Sequence, residues 1–180
     1  MIELHECVDF PRRWEFKMNL MEDLIAYDST LFCHSGEWWL FTTITEAEGE
    51  LDADELFLFY ANDPFSSCSI PHPLNPVVSD VRRGRSAGPV FQRDGKLFRL
   101  SQDCSRTYGY GFSLKAILVL SESEYQEKTA LSVLPSWDSS VEATPTMSTA
   151  GNLTVIDALL RRVKIAMVLF LQPILGKVLC

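Results

Sequence analysis

The sequence predicts an all-β chain organised as part of a β-propeller, and three observations carry that expectation. Short apolar runs with strand-type alternation follow one another, divided by turn residues. Asp94-Gly95 separates two such runs, one of the strongest short hairpin signals a sequence offers. The stretch around that hairpin recurs upstream at a spacing of 59 residues.

Residues 2–7 (IELHEC) alternate apolar and polar and read as a strand. Phe10-Pro11 and Trp14 fall in a loop. Residues 16–24 fit a strand or a short irregular run, and the spacing of Leu20, Met21 and Leu24 also suits a helix. Asp28 is expected to open the first full unit, with a strand over 30–33, a Ser35-Gly36 turn and a partner strand over 38–43. Residues 45–54 are acidic, lack metal-loop spacing and read as an exposed loop. Residues 55–61 (ELFLFYA) form the next strand, and 66–84 a long connection in which Val77-Val78 pair briefly. Residues 85–103 then carry the hairpin: Val90-Phe91, the Arg93-Asp94-Gly95 turn, and a strand through Leu97, Phe98 and Leu100. A Gly- and Tyr-containing loop follows over 104–111, a strand over 112–120 and another over 131–134. Residues 138–152 read as a Ser/Thr-rich linker, 153–157 as a short strand, and 158–162 as turning helical.

The repeat sets the architecture. Gly36 and Gly95, Phe32 and Phe91, and Trp39 and Phe98 all share the 59-residue offset. Phe65 and Tyr125 end matching stretches 60 residues apart. Residues 2–10 resemble the tail of a further unit, and 154–157 the start of one. A period of this length with three or four strands per unit is a propeller-blade pattern. One blade cannot bury both of its faces, so blades stack into a ring. Two complete blades plus parts of others are too few to close one. The expectation is an incomplete propeller over residues 1–162 and an apolar tail over 163–180, in a fragment or truncated product. An antiparallel sandwich is the competing architecture.

Composition excludes several functions. The 180 residues are 47% hydrophobic and 22% charged, which marks a globular chain. A net charge of −8, with only Arg82, Arg83 and Arg85 clustered, argues against nucleic acid as a partner. Cys7, Cys33, Cys68, Cys104 and Cys180 are odd in number and form no CxxC, so neither a disulfide framework nor zinc is indicated. A reducing, cytoplasmic setting is expected, and the charged N-terminal stretch does not read as a secretory signal. Residues 163–180 are apolar but interrupted by Lys164, Gln172-Pro173 and Lys177, short of the roughly 20 apolar residues a membrane span needs. The tail is read instead as a closing strand or as sequence foreign to the domain. No GxSxG, GxGxxG, Walker A or HExxH motif occurs, and no cofactor is implied.

Residues 72–117 (HPLNPVVSDVRRGRSAGPVFQRDGKLFRLSQDCSRTYGYGFSLKAI) resemble a five-bladed propeller domain. It is found in proteins similar to glucosamine inositolphosphorylceramide transferases. The resemblance extends through DFPRRW, YDSTLF and GNLTVID and covers about residues 2–162. It implies a fold similar to the glycoside hydrolase family 43 and family 32 propellers. In those hydrolases a base, a modulator and an acid ring the channel mouth. By this resemblance Asp28 stands where the modulator stands. The acid precedes a Gly-Pro pair, and Ala87, before Gly88-Pro89, occupies its place. The base falls in a blade this chain lacks. The family pattern also has Trp where Cys68 stands, and Thr-His-Thr where Thr144-Pro145-Thr146 stands.

The candidate ligand groups follow from the hairpin. An antiparallel turn brings its ends together, so Arg85, Gln102 and Asp103 are expected at one mouth, as a clamp for a polar ligand or as an internal salt bridge and cap. Asp28 is read as an acceptor for sugar hydroxyls or as a turn residue capping backbone amides. Arg85 offers a rigid donor fork, to a ligand or to Asp80 or Asp103. Arg106 and Tyr108 sit on a Gly-containing loop suited to stacking on a sugar. His72, between two prolines, is a ligand group or a local hydrogen-bonding anchor. The expected function is a sugar-substrate-binding propeller accessory to a glycosyltransferase-like or formyltransferase-like catalytic domain. The alternatives are a propeller-type glycoside hydrolase and a structural interaction platform.

Overall fold

The computed structural model describes residues 1–45, 54–65, 69–151 and 153–161. Residues 46–53 of the acidic loop expected over 45–54, Cys68 and the tail expected over 163–180 lie outside the described residues.

The described chain is antiparallel β throughout, apart from one 3-10 turn at Pro135–Trp137. A hairpin of β1 (Ile2–Asp9) and β2 (Arg13–Met21) comes first. The first blade contains β3 (Ile25–His34), β4 (Glu37–Thr45), β5 (Glu55–Ala61) and β6 (Ile70–Pro71) in that order, and β7 (Val78–Ser79) also pairs with β5. The second blade contains β8 (Phe91–Arg93), β9 (Lys96–Asp103), β10 (Gly111–Leu120) and β11 (Tyr125–Val133), again in spatial order. Beyond it, β12 (Val141–Ala143) pairs with β15 (Leu159–Leu160), and β13 (Met147–Ala150) with β14 (Leu153–Ile156). This is the partial propeller expected from the repeat.

The two repeated turns are of one kind. Ser35 and Gly36 have φ of 54° and 87°, and Asp94 and Gly95 have 50° and 72°. Positive φ at both central residues is the type I′ hairpin, whose twist matches that of the flanking strands. The offset also preserves facing. Trp39 and Phe41 of β4 point toward the second blade, where they meet Tyr125 and Ile117 in one core that includes Leu56, Leu58 and Val78. Phe41 lies edge-on to Tyr125 with ring centroids 5.6 Å apart. Leu40, on the opposite face, packs with Ile2 and Phe59 against the N-terminal hairpin. In β9 the register alternates likewise, and Leu100 turns downstream to Ala87, Phe112 and Met147. Each such buried side chain contributes about 1.5–3 kcal/mol, so three apolar layers hold the units together.

Several local expectations need correction. Asp28 does not precede its strand; β3 starts at Ile25 and runs through it. Residues 125–133 form one continuous strand, although only 131–134 reads as one. The outer strand of a blade is exposed over most of its length, so its QEKTA stretch needs no apolar alternation and takes its register from β10. The Ser/Thr-rich 138–152 segment contains β12 and β13 instead of running free as a linker. Leu159–Leu160 pairs with Val141 and Ala143 as a strand instead of turning helical, because so short a segment cannot meet the cost of helix nucleation. Among the described residues no helix is long and apolar enough to cross a membrane.

Candidate functional site

Asp28 occupies a bulge. The β3–β4 register shifts between Tyr27 and Thr30, and Asp28 has φ of 51°. A bulge re-aims a side chain out of the ladder, and here it brings the carboxylate to Arg85. Arg85 Nε lies 2.5 Å from Asp28 Oδ2, but it is out of line for a hydrogen bond. The guanidinium is held on its faces as well, 4.8 Å from the Tyr108 ring centroid and 5.9 Å from that of Tyr27. The Arg85 carbonyl accepts from Gln102 N–H at 2.8 Å, which fixes the segment leading into β8.

Beside this pair opens a cleft of about 300 Å³ lined by Asp28, Ser29, Thr30, Ser86, Ala87, Gly88, Thr146 and Ser148. Five hydroxyls and one carboxylate make it a surface of hydrogen-bonding groups. Ser86 is buried, and its Oγ has no partner among the described residues. The wall is made by close backbone approach. Ala87 N–H donates to Leu100 O and Ala87 O accepts from Met147 N–H, each at 3.0 Å. At Gly88, with φ of 153°, a Cβ would stand 2.2 Å from Met147 O. Thr146 and Ser148 come from the segment that reads as a linker. The Thr144-Pro145-Thr146 departure from the family pattern was the available signal for them.

The hairpin mouth does not act as one clamp. Gln102 and Asp103 are consecutive in β9, so their side chains leave on opposite faces. Gln102 is buried, donating through Nε2 to Pro145 O at 3.2 Å and accepting from the Cys104 thiol at 3.2 Å. Asp103 Oδ1 accepts from Ser105 N–H at 2.9 Å and from the Ser105 hydroxyl at 2.6 Å, and it faces a different cleft. Arg106 stacks on Tyr110 at 4.9 Å and donates to its hydroxyl. Tyr108 is exposed on its outer side and covers Arg85. His72 is buried. Its Nδ1 accepts from Leu74 N–H at 3.2 Å, so Nε2 carries the hydrogen and donates to Ser121 O at 3.1 Å. That geometry ties the proline-rich connection to the β10–β11 turn. Among the described residues no group of three His, Cys, Asp or Glu stands close enough to hold a metal ion.

A buried ionic cluster between the blades escaped the sequence reading. Arg99 donates through Nε and Nη2 to the two carboxylate oxygens of Glu127 at 3.0 and 2.9 Å, and Nη2 also reaches Arg83 O at 2.9 Å. Tyr125 donates to Glu127 at 2.6 Å. Burial pushes the Tyr125 hydroxyl up, with Glu127 adding to it against Arg99. The repeat contained the signal: Arg99 is the 59-residue counterpart of Leu40, an arginine where the first blade has a core leucine.

The family model described as glucosamine inositolphosphorylceramide transferase 1, N-terminal, matches residues 1–142. The Arabidopsis thaliana glucosamine inositolphosphorylceramide transferase 1 is 31% identical over 128 residues, covering 70% of this chain and 16% of that protein. Its Oryza sativa subsp. japonica counterpart is 35% identical over 128 residues, covering 70% of this chain and 17% of that protein. The chain thus spans about a sixth of the length of these relatives. Among solved structures, Bacteroides ovatus xyloglucan PUL GH43B matches with a TM-score of 0.52 at 18% identity, covering 87% of this chain and 30% of that one. That likeness supports the propeller fold. With the family model matching residues 1–142 of the 180 and relatives above 30% identity over 70% of the chain, the chain belongs to the glucosamine inositolphosphorylceramide transferase 1 N-terminal family.

Proposed function

We propose that the chain is a sugar-binding propeller domain that positions a carbohydrate-containing substrate for a neighbouring catalytic domain. The observation that carries this reading is the hydroxyl-lined cleft beside the Asp28–Arg85 pair. Serine and threonine hydroxyls both donate and accept, which suits a ligand made of hydroxyls. Its size falls in the range of small-molecule sites, about 300–1,000 Å³. Tyr108, exposed and stacked on Arg85, adds an aromatic surface beside the Asp28–Arg85 pair.

Cleavage fits the same cleft poorly. Glycoside hydrolysis uses two carboxyl groups about 5–9.5 Å apart. Among the described residues Asp28 is the only carboxylate lining the cleft, and Arg85 already engages it. Ala87 supplies no acid. The cytoplasmic setting and the attached catalytic domain belong to this same proposal.

A glycan array probed with the full chain tests it. Binding of a defined set of sugars is expected, weakened about tenfold or more in Asp28→Ala and Arg85→Ala. Unchanged binding in both variants would place the sugar elsewhere, and hydrolysis of an array sugar would overturn the accessory reading.

A further inference from the structure

We propose that a second cleft, between the upstream face of the second blade and the connection over residues 80–83, binds a phosphate-type oxyanion, free or carried on a small molecule. The cleft measures about 390 Å³ and is lined by Arg82, Arg83, Lys115, three hydroxyls (Ser113, Thr129 and Ser132), Asp80 and Asp103. It is separate from the hydroxyl-lined cleft, and the proposal stands independently of the sugar-binding reading.

Buried positive charge on this face is uncompensated among the described residues. Arg99 and Lys115 are register partners on β9 and β10, and both are buried. Glu127 is the buried carboxylate beside them, and both of its oxygens are taken by Arg99. Among the described residues these two buried cations therefore share one buried carboxylate. Among the described residues the hydrogen-bond partner of Lys115 is a hydroxyl, Thr129 Oγ1 at 2.8 Å. An ammonium carries three donors, and a buried charge without a counterion is costly. Burial pushes the Lys115 ammonium below its ordinary value even with Glu127 opposing, as expected for a cation short of anions.

The other charges do not supply the missing anion. Asp80 is held by Arg82 at 3.1 Å and Arg83 at 3.2 Å. Asp103 Oδ1 is engaged by Ser105. Arg99 Nη1 and Ser101 Oγ, on the same sheet face, are buried without partners among the described residues. An oxyanion accepts several charge-assisted hydrogen bonds at once, and Lys, Arg and Ser/Thr donors suit it. Lys115 at the floor, the mutually bonded Ser113 and Ser132 hydroxyls on the wall, and Arg82 at the rim, which reaches Asp80 through Nε and Nη2 only, form such a set in a chain whose net charge is −8.

Isothermal titration calorimetry on the full chain, at constant ionic strength set with chloride, tests the proposal with inorganic phosphate and with glycerol 3-phosphate. Saturable binding of either probe is expected; uptake of both identifies an esterified ligand, and of phosphate alone a free ion. Lys115→Met is expected to weaken binding at least tenfold, and without phosphate to melt no lower than the parent chain. Arg82→Ala, a rim change that leaves the core untouched, is expected to weaken binding about threefold to tenfold. No saturable heat with either probe, or binding unchanged in Arg82→Ala and in folded Lys115→Met, overturns it.

Discussion

Arg99 and Glu127 form a two-pronged ion pair inside the interface between the two blades, with Nε···Oε2 of 3.0 Å and Nη2···Oε1 of 2.9 Å. Phe41 of the first blade lies under the guanidinium, 5.8 Å from ring centroid to Cζ. Removing the carboxylate leaves that guanidinium buried, with a backbone carbonyl as its remaining partner. Breaking one side of such a pair costs about 3–5 kcal/mol. Glu127→Ala is therefore expected to lower the melting midpoint by roughly 10 °C or more, at about 2–4 °C per kcal/mol for a chain of this size. Thermal denaturation followed by far-UV circular dichroism reads it, and a shift below 2 °C would contradict the interface role.

The same pair sets an acid limit. Burial alone raises the Glu127 carboxyl, but the Arg99 guanidinium outweighs it, and Tyr125 and Lys115 pull in the same direction. The folded carboxyl therefore titrates below its ordinary 4.5. Between the folded and unfolded values the unfolded chain holds more protons, so stability falls as pH falls. The contribution is complete above about pH 4.5 and is lost as acid titrates through the folded value. Urea midpoints for the parent chain and Glu127→Gln should differ at pH 7 and converge toward pH 3. A gap that widens in acid would show that Glu127 does not carry this dependence.

The blades were legible because their causes are local. Asp94-Gly95 and Ser35-Gly36 encode the I′ turns, and alternation in β4 and β9 encodes the faces, so the 59-residue offset translated directly into stacking. The site was legible in part. Asp28 and Ala87 fall on one cleft, as the resemblance implies, but the partner of Arg85 was misread. Asp80 and Asp103 are near it in sequence, whereas Asp28 reaches it from another sheet, through a bulge that no residue pattern announces. Gln102 and Asp103 illustrate the opposite error. Their adjacency suggested a joint role, while the strand period of two buries Gln102 against Pro145 and turns Asp103 to a cleft on the other face. Arg99 was hidden because an arginine inside an apolar strand reads as the solvent side of an alternation until a facing sheet covers it.

Gly88 is a steric keystone between β9 and β13. A methyl group there meets Met147 O at 2.2 Å and Leu100 Cδ1 at 2.8 Å, on a backbone with φ of 153°. Backbone cannot retreat cheaply, so Gly88→Ala must push Met147 off Ala87 and open the hydroxyl-lined cleft. A loss of about 2 kcal/mol or more is expected from strain and the broken bond. Gly36→Ala is the control: it shares positive φ but faces open space, and it should cost only about 1 kcal/mol. Equal losses in urea denaturation would mean that the contact with β13 carries no weight.

His72 separates an anchor from a ligand group. Its ring is buried, and both nitrogens are engaged, Nδ1 by Leu74 N–H and Nε2 by Ser121 O. His72→Ala removes both hydrogen bonds, each worth about 0.5–1.5 kcal/mol, and empties the space of a buried ring. Stability is therefore expected to drop by about 2 kcal/mol or more. Since the hydroxyl-lined cleft draws its walls from β3, the segment before β8 and β13, sugar affinity measured well below the new melting midpoint should stay within about twofold of the parent. A variant that keeps its stability but loses sugar binding would reverse the assignment and return His72 to the ligand.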